Sequence, residues 1–253
     1  MTTVVDRPVA PAAEPLRDTL RRLASAQKGA QGAPAWSRFV NRPLGRLLAA
    51  VAFRAGLTPN AVTGLSAACT AAGLVLLAAV RPSPVLGVAV AVLLARGYAL
   101  DSAAGQLARL RGGGSPAGEW LDHMVDAVKA SALHLVVLVA LFRFGAVDSP
   151  ALLLVPLGYC AVDAVTYFGT MLNESLRARH GVPTRAAPSA QRAGIARSLL
   201  TLPTDYGLLC CVFVLYGVPG LFLPVYGVLF LAAAGFLAAA SPKWYREMGR
   251  LPR

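Results

Sequence analysis

The sequence predicts an all-α integral membrane protein, six transmembrane helices preceded by an amphipathic helix in the membrane interface. Three observations carry this expectation. First, 56% of the 253 residues are hydrophobic and 14% charged, where a soluble domain carries about a quarter charged; the mean hydropathy is +0.58. Second, Ala, Leu and Val gather in runs of about twenty, the length that crosses a hydrocarbon core. Third, the basic residues lie mainly between and beside these runs. The net charge of +12 alone would suggest a nucleic-acid partner, but that placement points to lipid head groups and excludes nucleic acid. Cys69, Cys160, Cys210 and Cys211 all sit inside apolar runs without zinc-ligand spacing, and read as packing residues.

Residues 1–34 lack the apolar stretch of a leader peptide. They are rich in Ala, Pro and Arg and are expected to be a disordered tail, with a helical piece near Leu16 to Ala26. Residues 35–253 form one membrane domain. Within 36–55, Arg38, Arg42 and Arg46 recur every four residues among Phe39, Leu44, Leu47 and Val51, the pattern of a helix lying in the interface. Spans are expected at about 60–80, 84–109, 118–142, 151–172, 198–216 and 221–240. Breakers separate them: Arg81-Pro82-Ser83-Pro84, the run Gly112 to Pro116, Asp148-Ser149-Pro150 and Gly217-Val218-Pro219-Gly220. With the N-terminus inside, twenty of the 24 Lys and Arg residues fall on that side, against Arg81 and Arg143 outside. Both termini are therefore expected in the cytoplasm.

Ionisable groups inside spans are costly and mark function by default. Asp101, Asp122, Asp126, Asp163 and Asp205 lie in expected spans. On a helix Asp101, Gly105, Ala108 and Arg109 share one face, as do Gly118, Asp122 and Asp126. The joining turn is short, so the two helices are antiparallel neighbours, and three carboxylates converge at the cytoplasmic end. Their mutual repulsion is relieved by a hard cation, Mg²⁺ or Mn²⁺. Arg109 is suited to a phosphate, and the glycines leave room beside the backbone. The combination suggests phosphoryl chemistry on a diphosphate.

The run Asp101-Ser102-Ala103-Ala104-Gly105-Gln106-Leu107-Ala108-Arg109, followed by Gly118-Glu119-Trp120-Leu121-Asp122-His123-Met124-Val125-Asp126, resembles the signature of the CDP-alcohol phosphotransferases, D-x-x-D-G-x-x-A-R then G-x-x-x-D-x-x-x-D. Thr58-Pro59-Asn60-Ala61-Val62-Thr63 is similar to the family's T-P-N-x-x-T segment. The resemblance covers nearly everything after residue 35. It implies a homodimeric enzyme of phospholipid biosynthesis in the cell membrane. Such an enzyme moves a substituted phosphate from a CDP-linked donor, such as CDP-diacylglycerol, to an alcohol acceptor and releases CMP. Asp101, Asp122 and Asp126 would ligate a pair of divalent ions. Asp126 would also be the general base, deprotonating the acceptor hydroxyl for its attack on the β-phosphorus. Gly105, Ala108 and Gly118 would accommodate cytidine, and Asn60, Thr63 and Arg109 would contact the nucleotide or its phosphates. One position departs: Ala104 stands where the family has an aspartate, and alanine cannot ligate a metal.

Other readings compete residue by residue. Asn60 reads also as an N-cap, Arg109 as an inside anchor, and Gly112 to Gly114 as a turn rather than a phosphate cradle. His123 and His134 read as packing groups. Lys129 either balances the acid cluster or touches the acceptor. Arg96, Asp163 and Asp205 form interhelical pairs or line the acceptor pocket. The basic stretch Arg177 to Arg197 is a lipid-facing surface, or else Arg192 and Arg197 bind an anionic acceptor. Two rival functions follow: a non-catalytic member that binds nucleotide or lipid, favoured by Ala104, and a transporter using the intramembrane acids.

Overall fold

The structure, a computed structural model, describes residues 15–25, 34–145, 147–184, 198 and 201–252. Arg192, Arg197 and residues 1–14 lie outside the described residues.

Ser-Pro and Thr-Pro pairs set where the membrane helices begin. Thr58-Pro59, Ser83-Pro84 and Ser115-Pro116 open α3 (Pro59–Ala79), α4 (Pro84–Leu110) and α5 (Pro116–Arg143). In each the hydroxyl oxygen accepts from a first-turn N–H, of Ala61, Leu86 and Gly118 respectively. The proline behind it needs no partner for the N–H it lacks. Ser149-Pro150 opens a 3₁₀ turn, Pro150–Leu153, that leads into α6 (Leu154–Arg179). Ahead of these, α1 spans Leu16–Ser25, and a π-helical turn, Ser37–Asn41, runs into α2 (Arg42–Arg54). After them, α7 (Tyr206–Val212) passes into a 3₁₀ segment, Phe213–Gly217, and α8 runs over Pro219–Met248.

Among the described residues, five helices are long and apolar enough to cross a membrane: α3, α4, α5, α6 with its 3₁₀ lead, and α8. The chain is an all-helical integral membrane protein. The span expected at 198–216 shows, among the described residues, as the twelve-residue apolar piece Tyr206–Gly217. Asp205 caps its start, accepting from Gly207 N–H at 3.0 Å, and Val218 ends it. The last span is longer than expected and carries Pro224 and Pro242 inside it.

Helix α4 is the centre of the assembly and packs on α2, α3, α7 and the 213–217 segment. Helix α5 packs on α3 and α6, and α6 on α8. The larger apolar core gathers Val90, Leu94, Val137, Phe213, Phe222 and Tyr226. A smaller core of Leu23, Ala49, Ala50, Val62, Ala104 and Leu107 joins α1, α2, α3 and α4. Outside, Val85, Phe142, Phe168 and Leu231 are exposed, as bilayer-facing side chains would be. In α2 the small residues Gly45, Ala49 and Ala52 are buried against the bundle, while Leu44, Leu47 and Val51 are left exposed.

Candidate functional site

The turn between α4 and α5 brings the two charged helix ends side by side. Gly112 and Gly113 take φ of +90° and +130° there, backbone states that other residues resist. This stretch is therefore a turn. Arg111 pins it by donating to Leu57 C=O at 2.8 Å, next to the cap of α3.

Asp101 on α4 and Asp126 on α5 converge on one point. The Lys129 ammonium lies 2.9 Å from Asp101 Oδ1 and 3.1 Å from Asp126 Oδ1. Its third donor meets Ser66 Oγ on α3 at 3.1 Å. Ser66 itself donates to Gly97 C=O at 2.7 Å, which leaves its lone pairs toward the lysine. Lys129 is 8% exposed, and three acceptors match its three N–H groups. Asp122, one turn before Asp126, receives the Thr63 hydroxyl at 3.5 Å. Among the described residues, no three Asp, Glu, His or Cys side chains come together as a metal group.

Toward the helix ends at the α4–α5 turn, Gly118 is a close-approach position. A Cβ there would stand 2.8 Å from Asn60 Oδ1 and 3.2 Å from Ser115 Oγ. Asn60 is not the cap of α3, because Thr58 is; its amide instead faces α5. Arg109 lies along Gly105, its Nη1 3.6 Å from where a Cβ would be. Ala104 does not face this opening. It is 3% exposed and packed in the small core with Val62 and Leu107.

On the other side of the acid pair a cavity of about 470 Å³ opens. Asp101, Asp126 and Lys129 form one wall, and Asp163, Thr166, Tyr167, Thr170 and Asp205 line others. Asp163 is held from behind: His134 Nε2 lies 2.9 Å from its Oδ2, and His134 Nδ1 lies 2.5 Å from Tyr226 Oη. Tyr159 stacks on the same imidazole at 4.0 Å. Asp163 thus forms an interhelical pair, and its partner is His134. Asp205 instead accepts from Ser37 N–H at 2.8 Å. His123 keeps a local role, its C=O accepting from Tyr167 Oη at 2.7 Å.

Asp101, Asp122, Asp126, Thr63 and Lys129 stand out in the sequence, and the fold brings them to one neighbourhood. Ser66 and Tyr167 join them only in the fold. A signal existed for Ser66, since Thr63, Ser66 and Thr70 mark one buried polar stripe on α3. The donor set fits one cation between Asp101 and Asp126, for which the ammonium is a stand-in.

A family model described as CDP-alcohol phosphatidyltransferase matches residues 56–240. Among solved structures, the Mycobacterium tuberculosis phosphatidylinositol phosphate synthase in complex with manganese and citrate is similar at 20% identity and a TM-score of 0.48. That match covers 81% of this chain and 89% of the other. No curated protein matches the chain.

Proposed function

The chain belongs to the CDP-alcohol phosphatidyltransferase family, and we propose that it transfers a substituted phosphate from a CDP-linked lipid such as CDP-diacylglycerol to an alcohol acceptor in phospholipid biosynthesis. One observation carries this reading. The Asp101–Asp126 pair forms the wall between the glycine-lined helix ends and the 470 Å³ cavity. The donor's cytidine and diphosphate lie on the first side, near Asn60, Thr63, Gly105, Ala108, Arg109 and Gly118. The acceptor enters from the second.

The acceptor hydroxyl gives its proton to Asp126 as its oxygen bonds to the β-phosphorus. The bond from that phosphorus to the CMP oxygen breaks, and CMP leaves with both electrons. Arg109 meets the diphosphate, and Asn60 steadies the nucleotide. A divalent ion, Mg²⁺ or Mn²⁺, would be held between Asp101 and Asp126, with Asp122 drawn in from one turn away as the third ligand, and would offset the charge on the diphosphate. The charge asymmetry of the loops supports a cytoplasm-facing site with both termini inside, and the exposed apolar edge of α2 supports an interfacial position.

Purified chain given CDP-diacylglycerol and Mn²⁺ is expected to release CMP only with the right acceptor, so a panel of glycerol phosphate, inositol phosphate, serine and small alcohols identifies it. Ala104 favours a second reading, a member that binds the donor without turnover. Ala104→Asp decides between the two. A wild-type chain that is silent while Ala104→Asp turns over supports the second reading, and release by the wild type refutes it.

A further inference from the structure

We propose that Lys129 is an internal competitor for the divalent ion: its ammonium occupies the oxygen pair that the ion needs, so metal binding requires Lys129 to leave. The inference rests on the transferase reading above, in which an ion works between these carboxylates.

The geometry is that of a built site and not of a stray surface pair. A lysine three residues beyond Asp126 has a long, flexible stem and would ordinarily reach for the aqueous end of the bundle. Instead Nζ is held inward, within 3.1 Å of oxygens on three different helices, α3, α4 and α5. Ser66 contributes only because its own proton is committed to Gly97 C=O. A Mg²⁺ ion binds carboxylate oxygens at about 2.0–2.1 Å. It therefore needs the space that the ammonium fills between Asp101 Oδ1 and Asp126 Oδ1, and two cations that close repel strongly in a poorly hydrated site. With Ala104 supplying no fourth carboxylate, the cluster balances its charge without a metal more easily than a four-aspartate site would. Displaced, Nζ remains on the wall of the cavity, where an incoming anion can take over the pairing.

The test is a Mn²⁺ titration of the purified chain in nanodiscs, followed by the loss of the free-ion electron paramagnetic resonance signal. Lys129→Met is expected to bind Mn²⁺ about tenfold or more tightly, since it removes the competing charge. Lys129→Arg keeps the charge and should stay within about threefold of wild type. Ser66→Ala loosens the ammonium without removing it and should tighten Mn²⁺ by about threefold; it decides the matter if Lys129→Met does not fold. Equal or weaker Mn²⁺ binding in Lys129→Met, or in Ser66→Ala where that variant decides, overturns the proposal, as does a Lys129→Arg affinity as high as that of the Met variant. The titration contains no turnover. Tightening without CMP release therefore contradicts only the transferase reading, and CMP release with unmoved affinity contradicts only this inference.

Discussion

The Asp101–Asp126–Lys129 cluster and the Asp163–His134–Tyr226 cluster use the same means, a carboxylate held by a basic group inside a helix bundle. They differ in what lies on the far side. Behind His134 is the main apolar core, and the imidazole is 0% exposed, with both nitrogens engaged. Around Lys129 are the cavity on one side and the glycine-bearing helix ends on the other. The first cluster can exchange partners with a ligand. In the second only Asp163 reaches the cavity, and the enclosed imidazole behind it holds that carboxylate in place. Buried charge marks function only where a path leads to it.

Substitutions can break this contrast. The largest effect is expected for Asp126→Asn, which keeps the shape but removes the proton acceptor. CMP release should fall about 10³-fold, within the range of general-base losses, and Mn²⁺ binding should weaken with it, because a carboxylate ligand is lost as well. His134→Leu should do the opposite. It leaves Tyr226 and Asp163 short of a partner and should cost about 1–3 kcal/mol of stability, read as a lowered midpoint of denaturant unfolding in micelles, while the folded fraction still turns over. Equal losses of turnover in both variants would erase the distinction between the clusters. The smallest effect belongs to Gly118→Ala. Its Cβ would press on Asn60 Oδ1 from 2.8 Å, and the donor KM should rise about three- to tenfold, as for a modest overpacking cost.

The two regions were not equally legible in the sequence. The motif face could be read because helical period alone places Asp101 with Gly105 and Asp122 with Asp126, and the short glycine turn places the two faces together. The bilayer helices could be read from apolar length. What escaped depends on contacts far apart in the chain. Ser66 meets Lys129 across 63 residues, and His134 meets Tyr226 across 92; no local pattern joins them. Asn60 seemed equally suited to cap α3, until the Thr58 hydroxyl took that role and turned Asn60 toward Gly118. Ala104 is the subtlest case. Periodicity sets it near the acid face, yet the fold buries it among Val62 and Leu107, so an aspartate there would need a cation to offset its burial.

The central claim is transfer at the β-phosphorus on the acid wall. It is tested most directly with CDP-diacylglycerol carrying a radioactive label in its β-phosphate, incubated with the chain, Mn²⁺ and the acceptor found by the panel. The label is expected in the acceptor lipid while unlabelled CMP is released. Label leaving with the nucleotide as CDP, or no cleavage by either the wild type or Ala104→Asp, would contradict it.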